Sequence, residues 1–123
     1  MLGTRLACTP VMVQVALTMV VHPRRTAEMI QTLQSLMVLL PAAPGFISCR
    51  LCQEADHTNT ICYEEEWDTP EDLDRQICSS LYTRLLTLMD KAAEPPKLRL
   101  NWVTDVKGLE YRESVRLFKE NEP

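Results

Sequence analysis

The sequence predicts an α+β fold: one four-stranded antiparallel sheet with helices packed on one of its faces. Three observations carry that expectation. Apolar and β-branched residues alternate over 11–21, the period of a strand. Two helical stripes, over 27–40 and 81–89, are each stopped by proline. Two more strand-like segments, 46–53 and 60–67, are joined by a short polar turn, and a fourth alternating segment covers 98–103.

Each element follows from its residues. Val11, Val13, Val15, Leu17, Met19 and Val21 form one side of the first strand, with Met12, Gln14, Ala16, Thr18 and Val20 on the other. Pro23 suits a helix start. Ala27, Ile30, Leu33, Met37 and Leu40 follow at helical spacing, with Arg24, Glu28, Gln31 and Ser35 facing outward. Pro41 and Pro44-Gly45 end that helix. In the second strand Ile47, Cys49 and Leu51 share one face, and Phe46, Ser48, Arg50 and Cys52 the other. The turn over 54–59 makes strands two and three an antiparallel hairpin. Thr69-Pro70-Glu71-Asp72 combines a capping hydroxyl, a first-turn proline and acids at the positive end of the helix dipole. The short helix that follows carries Leu73 and Ile77. Ser79 and Ser80 restart it as a third helix with Leu81, Leu85, Leu88 and Met89 on its stripe. Leu98, Leu100 and Trp102 alternate with Arg99, Asn101 and Val103 in the last strand. The charged segment after residue 107 turns helical around residues 111–119.

The order β-α-β-β-α-β is the split βαβ, or ferredoxin-like, arrangement. We divide the chain into an N-terminal extension (1–10), the domain (11–106) and a C-terminal tail (107–123). Phe46, Met12, Ala16 and Val20 are too apolar for the open side of the sheet to face water. A homodimer that pairs two such faces would bury them.

Composition limits the function. A chain of 123 residues and 14.1 kDa, 46% apolar and 24% charged, is an ordinary single domain. A net charge of -4 and a pI near 5.2 lack the electrostatic footprint for nucleic acid or an anionic membrane. No apolar run approaches the roughly 18 residues of a membrane span. The region around Leu6-Ala7-Cys8 and the apolar 11–21 segment are expected to be neither a lipoprotein nor a signal sequence. Five cysteines, Cys8, Cys49, Cys52, Cys62 and Cys78, make an odd count that leaves at least one unpaired within the chain. Free thiols suit a reducing compartment, the cytosol. Three glycines provide no nucleotide cradle, and His22 and His57, at a strand end and in a turn, belong to no metal-ligand cluster.

Pro44-Gly45-Phe46-Ile47-Ser48-Cys49-Arg50-Leu51, followed by Glu64-Glu65-Glu66-Trp67-Asp68-Thr69-Pro70-Glu71-Asp72-Leu73, resembles the antibiotic biosynthesis monooxygenase-like (ABM) family. The resemblance extends through the element order over residues 11–106. It implies a dimeric α+β barrel. Some members insert oxygen into aromatic polyketides or hydroquinones without metal or flavin, so no cofactor is expected; related members degrade haem. Three positions depart from the family pattern. Tyr63 stands where some members carry Asn, Gln76 where many carry a helix His, and Leu81 where a further His often precedes an aromatic. The histidine needed for haem ligation is therefore missing.

Period two places Ile61, Tyr63, Glu65 and Trp67 on one face. By the resemblance, that face looks into a cavity between sheet and helices. Trp67 would line a substrate pocket, or simply seal the interface as a core indole. Glu65, sheltered beside it, would favour its neutral form and serve as base for a phenolic or quinol proton. Alternatively it is a structural acid paired with Arg50 or Arg99. Tyr63 and Gln76 would hydrogen-bond ring oxygens. The expected function is thus a cofactor-independent monooxygenase of a small aromatic or quinol. The alternative is a non-catalytic dimeric ligand-binding or regulatory protein of the same fold.

Two motifs have plainer readings. Cys49 and Cys52 form a C-x-x-C pattern, but in a strand three residues place the thiols on opposite faces with α-carbons about 10 Å apart, beyond disulfide reach. Cys62 on the adjacent strand is the nearer neighbour for one of them. Glu64 and Glu66 face away from Glu65, as rim charges that protect an edge or meet a dimer partner.

Overall fold

The computed structural model describes residues 10–120. Nearly all of the N-terminal extension, Cys8 included, lies outside the described residues. The order is β1 (Met12–Val20), a 3-10 turn (Pro23–Arg25), α1 (Thr26–Met37), a second 3-10 turn (Leu40–Ala42), β2 (Phe46–Gln53), β3 (Thr60–Trp67), α2 (Pro70–Ile77), α3 (Ser80–Met89), β4 (Lys97–Val103) and α4 (Leu109–Glu120). The strands form one antiparallel sheet in the order β2-β3-β1-β4. This is the expected ferredoxin-like fold.

The core lies between the sheet and α1–α3. Val13, Val15, Leu17 and Met19 of β1 and Ile61, Tyr63 and Trp67 of β3 meet Met29, Leu33 and Leu36 of α1, Leu40, Leu73 of α2, and Leu85 and Leu88 of α3. The α1 stripe is rotated from the expected one. Met29, Leu33, Leu36 and Leu40 are buried, whereas Ala27 is exposed and Ile30 and Met37 are half-buried. The buried set, spaced by four, three and four, is the face that meets the sheet after the 3-10 turn over Pro23–Arg25. In α2, Ile77 is 38% exposed and Gln76 takes the inward position three residues after Leu73. α2 and α3 are capped as their sequences imply: Thr69 Oγ1 accepts from the Asp72 N–H at 3.1 Å, and Ser79 Oγ from the Tyr82 N–H at 3.2 Å.

A register shift between Phe46 and Ser48 corrects the reading of β2. The irregularity turns Phe46 to the helix side, in the same phase as Cys49 and Leu51. There its ring meets Trp67 edge-on, centroids 5.6 Å apart. Phe46 is therefore part of the core and not of the open face. Gly45, just before it, has φ +79°, and an added Cβ would lie 2.1 Å from the Asp72 carboxyl. Only glycine accommodates both the backbone there and the close approach of α2.

The open face has an apolar margin of Met12, Ala16 and Val20, all half-buried, around a polar row that crosses all four strands. Ser48, Glu66, Gln14 and Asn101 are successive cross-strand partners. Ser48 Oγ donates to Glu66 Oε1 at 2.7 Å and Gln14 Nε2 to Glu66 Oε2 at 3.1 Å. These bonds, Ser48 first, hold the Glu66 carboxyl below its ordinary range. A shallow depression of about 400 Å³ lies over this row. Glu64 pairs with Arg50 in the next row. Because β3 is internal to the sheet, neither acid protects an edge.

Candidate functional site

β3 has a B-i-B-i burial pattern from Ile61 to Trp67, so its odd-numbered side chains point under the helices. Trp67 is fully buried, and Tyr63 and Glu65 are each 2% exposed. An acid that deep requires partners, and it finds them on its own strand. Tyr63 Oη donates to Glu65 Oε2 at 2.5 Å, and Trp67 Nε1 donates to Glu65 Oε1 at 2.8 Å. Period two brings one donor to each carboxylate oxygen. The indole N–H can only donate, so Oε1 is an acceptor in any protonation state.

This overturns the expected pairing of Glu65 with Arg50 or Arg99. Arg50 reaches Glu64, and Arg99 stands opposite Ala16. Both lie on the open face, separated from Glu65 by the sheet itself.

Burial, then the nearby Glu65 charge and hydrogen bond, push the Tyr63 phenol far above its ordinary range. Tyr63 is accordingly a standing donor to the Glu65 carboxyl. Tyr82 of α3 is also raised, by burial first and the Glu65 charge second, as is the Cys49 thiol, which faces Glu65 across the β2–β3 pair.

Glu65 and Tyr63 share a small cavity with Gln76, Tyr82, Leu36 and Leu85. Gln76, from α2, is 6% exposed. The cavity holds about 10 Å³, close to the least that admits one water. Trp67 does not line it; the indole lies beside Phe46 and holds the carboxylate from along the strand. Sequence reasoning brought Tyr63, Glu65, Trp67 and Gln76 together and missed Tyr82 and Cys49. Tyr82 had a signal, since it follows the Ser79 cap by three residues, one position from the Leu81–Leu85 stripe. Cys49 was obscured by its C-x-x-C pattern. The structure separates those two thiols by face: Cys49 is opposite Glu65, and Cys52 is opposite Cys62. The four described cysteines are all free.

Among the described residues, no group of three or more His, Cys, Asp or Glu side chains is arranged to hold a metal. Nor is any helix among them long and apolar enough to cross a membrane.

Comparison with known proteins bears on this arrangement. No curated protein matches the sequence. Solved structures do match the fold. A conserved protein from Methanosarcina mazei is 19% identical with a TM-score of 0.70, over 76% of this chain and 93% of that one. A proposed antibiotic biosynthesis monooxygenase from Nitrosomonas europaea is 20% identical with a TM-score of 0.69, over 84% and 100%. A mutant of SnoaB, a cofactor-independent oxygenase from Streptomyces nogalater, is 17% identical with a TM-score of 0.68, over 78% and 96%. At these identities the likeness is one of fold. The sequence pattern of the antibiotic biosynthesis monooxygenase family matches residues 10–76, which run from β1 through the hairpin to Gln76. With that match over more than half its length, the chain belongs to the antibiotic biosynthesis monooxygenase family.

Proposed function

We propose that the protein is a cofactor-independent monooxygenase acting on a small aromatic or quinol held beside Glu65, between the sheet and α2–α3. The observation that supports this most is the buried carboxylate with both oxygens positioned, Oε2 by Tyr63 and Oε1 by Trp67, in otherwise apolar surroundings. A well-packed core has no need of an acid there, and satisfied buried polar clusters specify position at a cost. Glu65 is the base. Trp67 orients it from along the strand, while Tyr63 and Gln76 hydrogen-bond the ring oxygens. Loss of the phenolic proton gives an anion rich enough to pass electrons to dioxygen. Carbon–oxygen bond formation then gives a ring peroxide, and O–O cleavage leaves one oxygen on the ring and releases the other as water. For a quinol going to a hydroxyquinone, substrate and dioxygen alone balance the reaction. Substrate entry requires the first turn of α3, with Leu81 and Tyr82, to move away from β3. The short joint between α2 and α3 at Cys78 and Ser79 is the hinge for that motion.

The protein works as a homodimer through the open sheet face, whose half-buried Met12, Ala16 and Val20 favour it even without Phe46. Free thiols suit the cytosol.

The 10 Å³ cavity favours a second reading: a non-catalytic dimer in which the cluster only fixes the core. Oxygen uptake with a panel of quinols and anthrones distinguishes the two. The oxygenase reading expects turnover in the wild type, lost by a factor of about 10² or more in Glu65→Gln, the scale of removing a general base, and reduced in Trp67→Phe. Neither binding nor oxygen uptake with any compound of the panel would favour the second reading instead, and tight binding without uptake would make the site a ligand-binding one of the same fold.

A further inference from the structure

β4 is an edge strand, and α1–α3 do not cover it. On the helix side its Leu98, Leu100 and Trp102 are 45%, 37% and 50% exposed, while their β1 partners Leu17, Val15 and Val13 are at most 2% exposed. The row is a direct continuation of the core, one strand beyond the Tyr63–Glu65–Trp67 cluster.

A second unpartnered apolar surface lies on α4. Tyr111, Val115 and Phe118, spaced by four and three, form a stripe and are 53%, 41% and 66% exposed. The start of the helix is built locally: the Gly108 N–H donates to Glu110 Oε1 at 3.0 Å, and Lys107 Nζ lies 5.4 Å from the Tyr111 ring centre. Yet α4 has 12 residues and buries none of them. A helix of that length is marginal in water by itself, and docking its apolar stripe would stabilise it.

We propose that the Tyr111–Val115–Phe118 stripe of each copy docks on the Leu98–Leu100–Trp102 row of a second copy, in a reciprocal two-fold exchange. The lengths match: the row spans about 13 Å of strand and the stripe about 10 Å of helix. With roughly 150–250 Å² for each fully open aromatic side chain and less for Leu and Val, the exposed fractions of row and stripe together leave about 600 Å² uncovered. A two-fold exchange covers both surfaces twice, about 1,200 Å², which reaches the size of specific protein interfaces. The occupant is a second copy because both surfaces stay largely exposed within one chain and the paired area reaches what a stable dimer needs. The exchange uses the helix side of β4 and leaves Arg99 and Asn101, on its other side, for contact between sheet faces.

Trypsin cleavage after Arg112 and Arg116 tests the exchange when followed across protein concentration, alongside sedimentation. Mass action predicts that cleavage slows about tenfold or more from nanomolar to high micromolar protein. Phe118→Glu and Leu100→Lys should each remove that protection while leaving the near-ultraviolet signal of Trp67 unchanged. An equimolar mixture of the two should restore it. In the mixed pair one unmodified helix meets one unmodified row, and the new carboxylate meets the new ammonium. Cleavage that is independent of concentration overturns the proposal. So does protection in the doubly substituted chain without protection in the mixture, which would place α4 on its own β4. Protection only by anionic lipid vesicles would assign the stripe to a membrane surface, and likewise overturns it.

Discussion

Trp67 and Trp102 stand in one cross-strand row, on either side of Val13 and on the same face of the sheet. Trp67 is fully buried, packs edge-on against Phe46 and donates to Glu65; Trp102 is half exposed. Local sequence does not separate them, since both sit at inward positions of alternating strands. Their difference comes from position in the sheet: β3 is flanked on both sides and roofed by helices, and β4 is an edge without a roof. An alternating pattern identifies the side of a sheet on which a residue lies, and the packing of other elements determines whether that side is dry.

Truncation separates the two indoles most sharply. Trp67→Ala should cost about 3–5 kcal/mol in urea unfolding, as large aromatic deletions in cores do. It also strands Glu65 Oε1. Trp102→Ala, followed at low protein concentration, should cost less than about 1 kcal/mol. Equal costs would mean that β4 is covered within its own chain. Glu65→Leu comes next, at about 2–3 kcal/mol, because it leaves the Tyr63 hydroxyl and the Trp67 N–H buried without acceptors. Glu65→Gln should cost less, since an amide oxygen can still accept from the indole.

Two smaller effects depend on pH. The folded-state pKa of Tyr63 is raised, so its contribution is present below the unfolded value of about 10 and is lost as pH climbs above it. Tyr63→Phe should make the alkaline decline in stability shallower, and tyrosinate absorbance from this residue should appear only with unfolding. Glu66, on the opposite face, behaves in reverse. Its folded-state pKa is depressed by Ser48 and Gln14, so its contribution is present above an unfolded value near 4.5 and is lost as pH falls through the folded value. Glu66→Gln should flatten the acid limb of the stability curve, the smallest change of the set, because the group is only partly buried.

Much of the site was legible in the sequence. Alternation in 60–67 brought Tyr63, Glu65 and Trp67 to one face, and the Thr69-Pro70 start set the helix that carries Gln76. The partners of Glu65 were not legible. An acid invites a search for a basic residue, and Arg50 and Arg99 are near in register but on the wrong face. Side-chain donors two residues away on the same strand satisfy it instead. The placement of Phe46 failed for a different reason, since a one-residue irregularity after Gly45 reverses the facing of whatever precedes it.

The element order, the antiparallel hairpin, the Thr69 cap and the face on which each β3 side chain lies are all readable from the residues, because they depend on local periodicity and on hydrogen bonds between near neighbours. Packing decided that Glu65 is kept from water, that the space beside it is nearly filled, and that β4 and α4 are left uncovered. Those outcomes depend on how far the helices reach across the sheet, a distance set by packing among residues far apart in the chain.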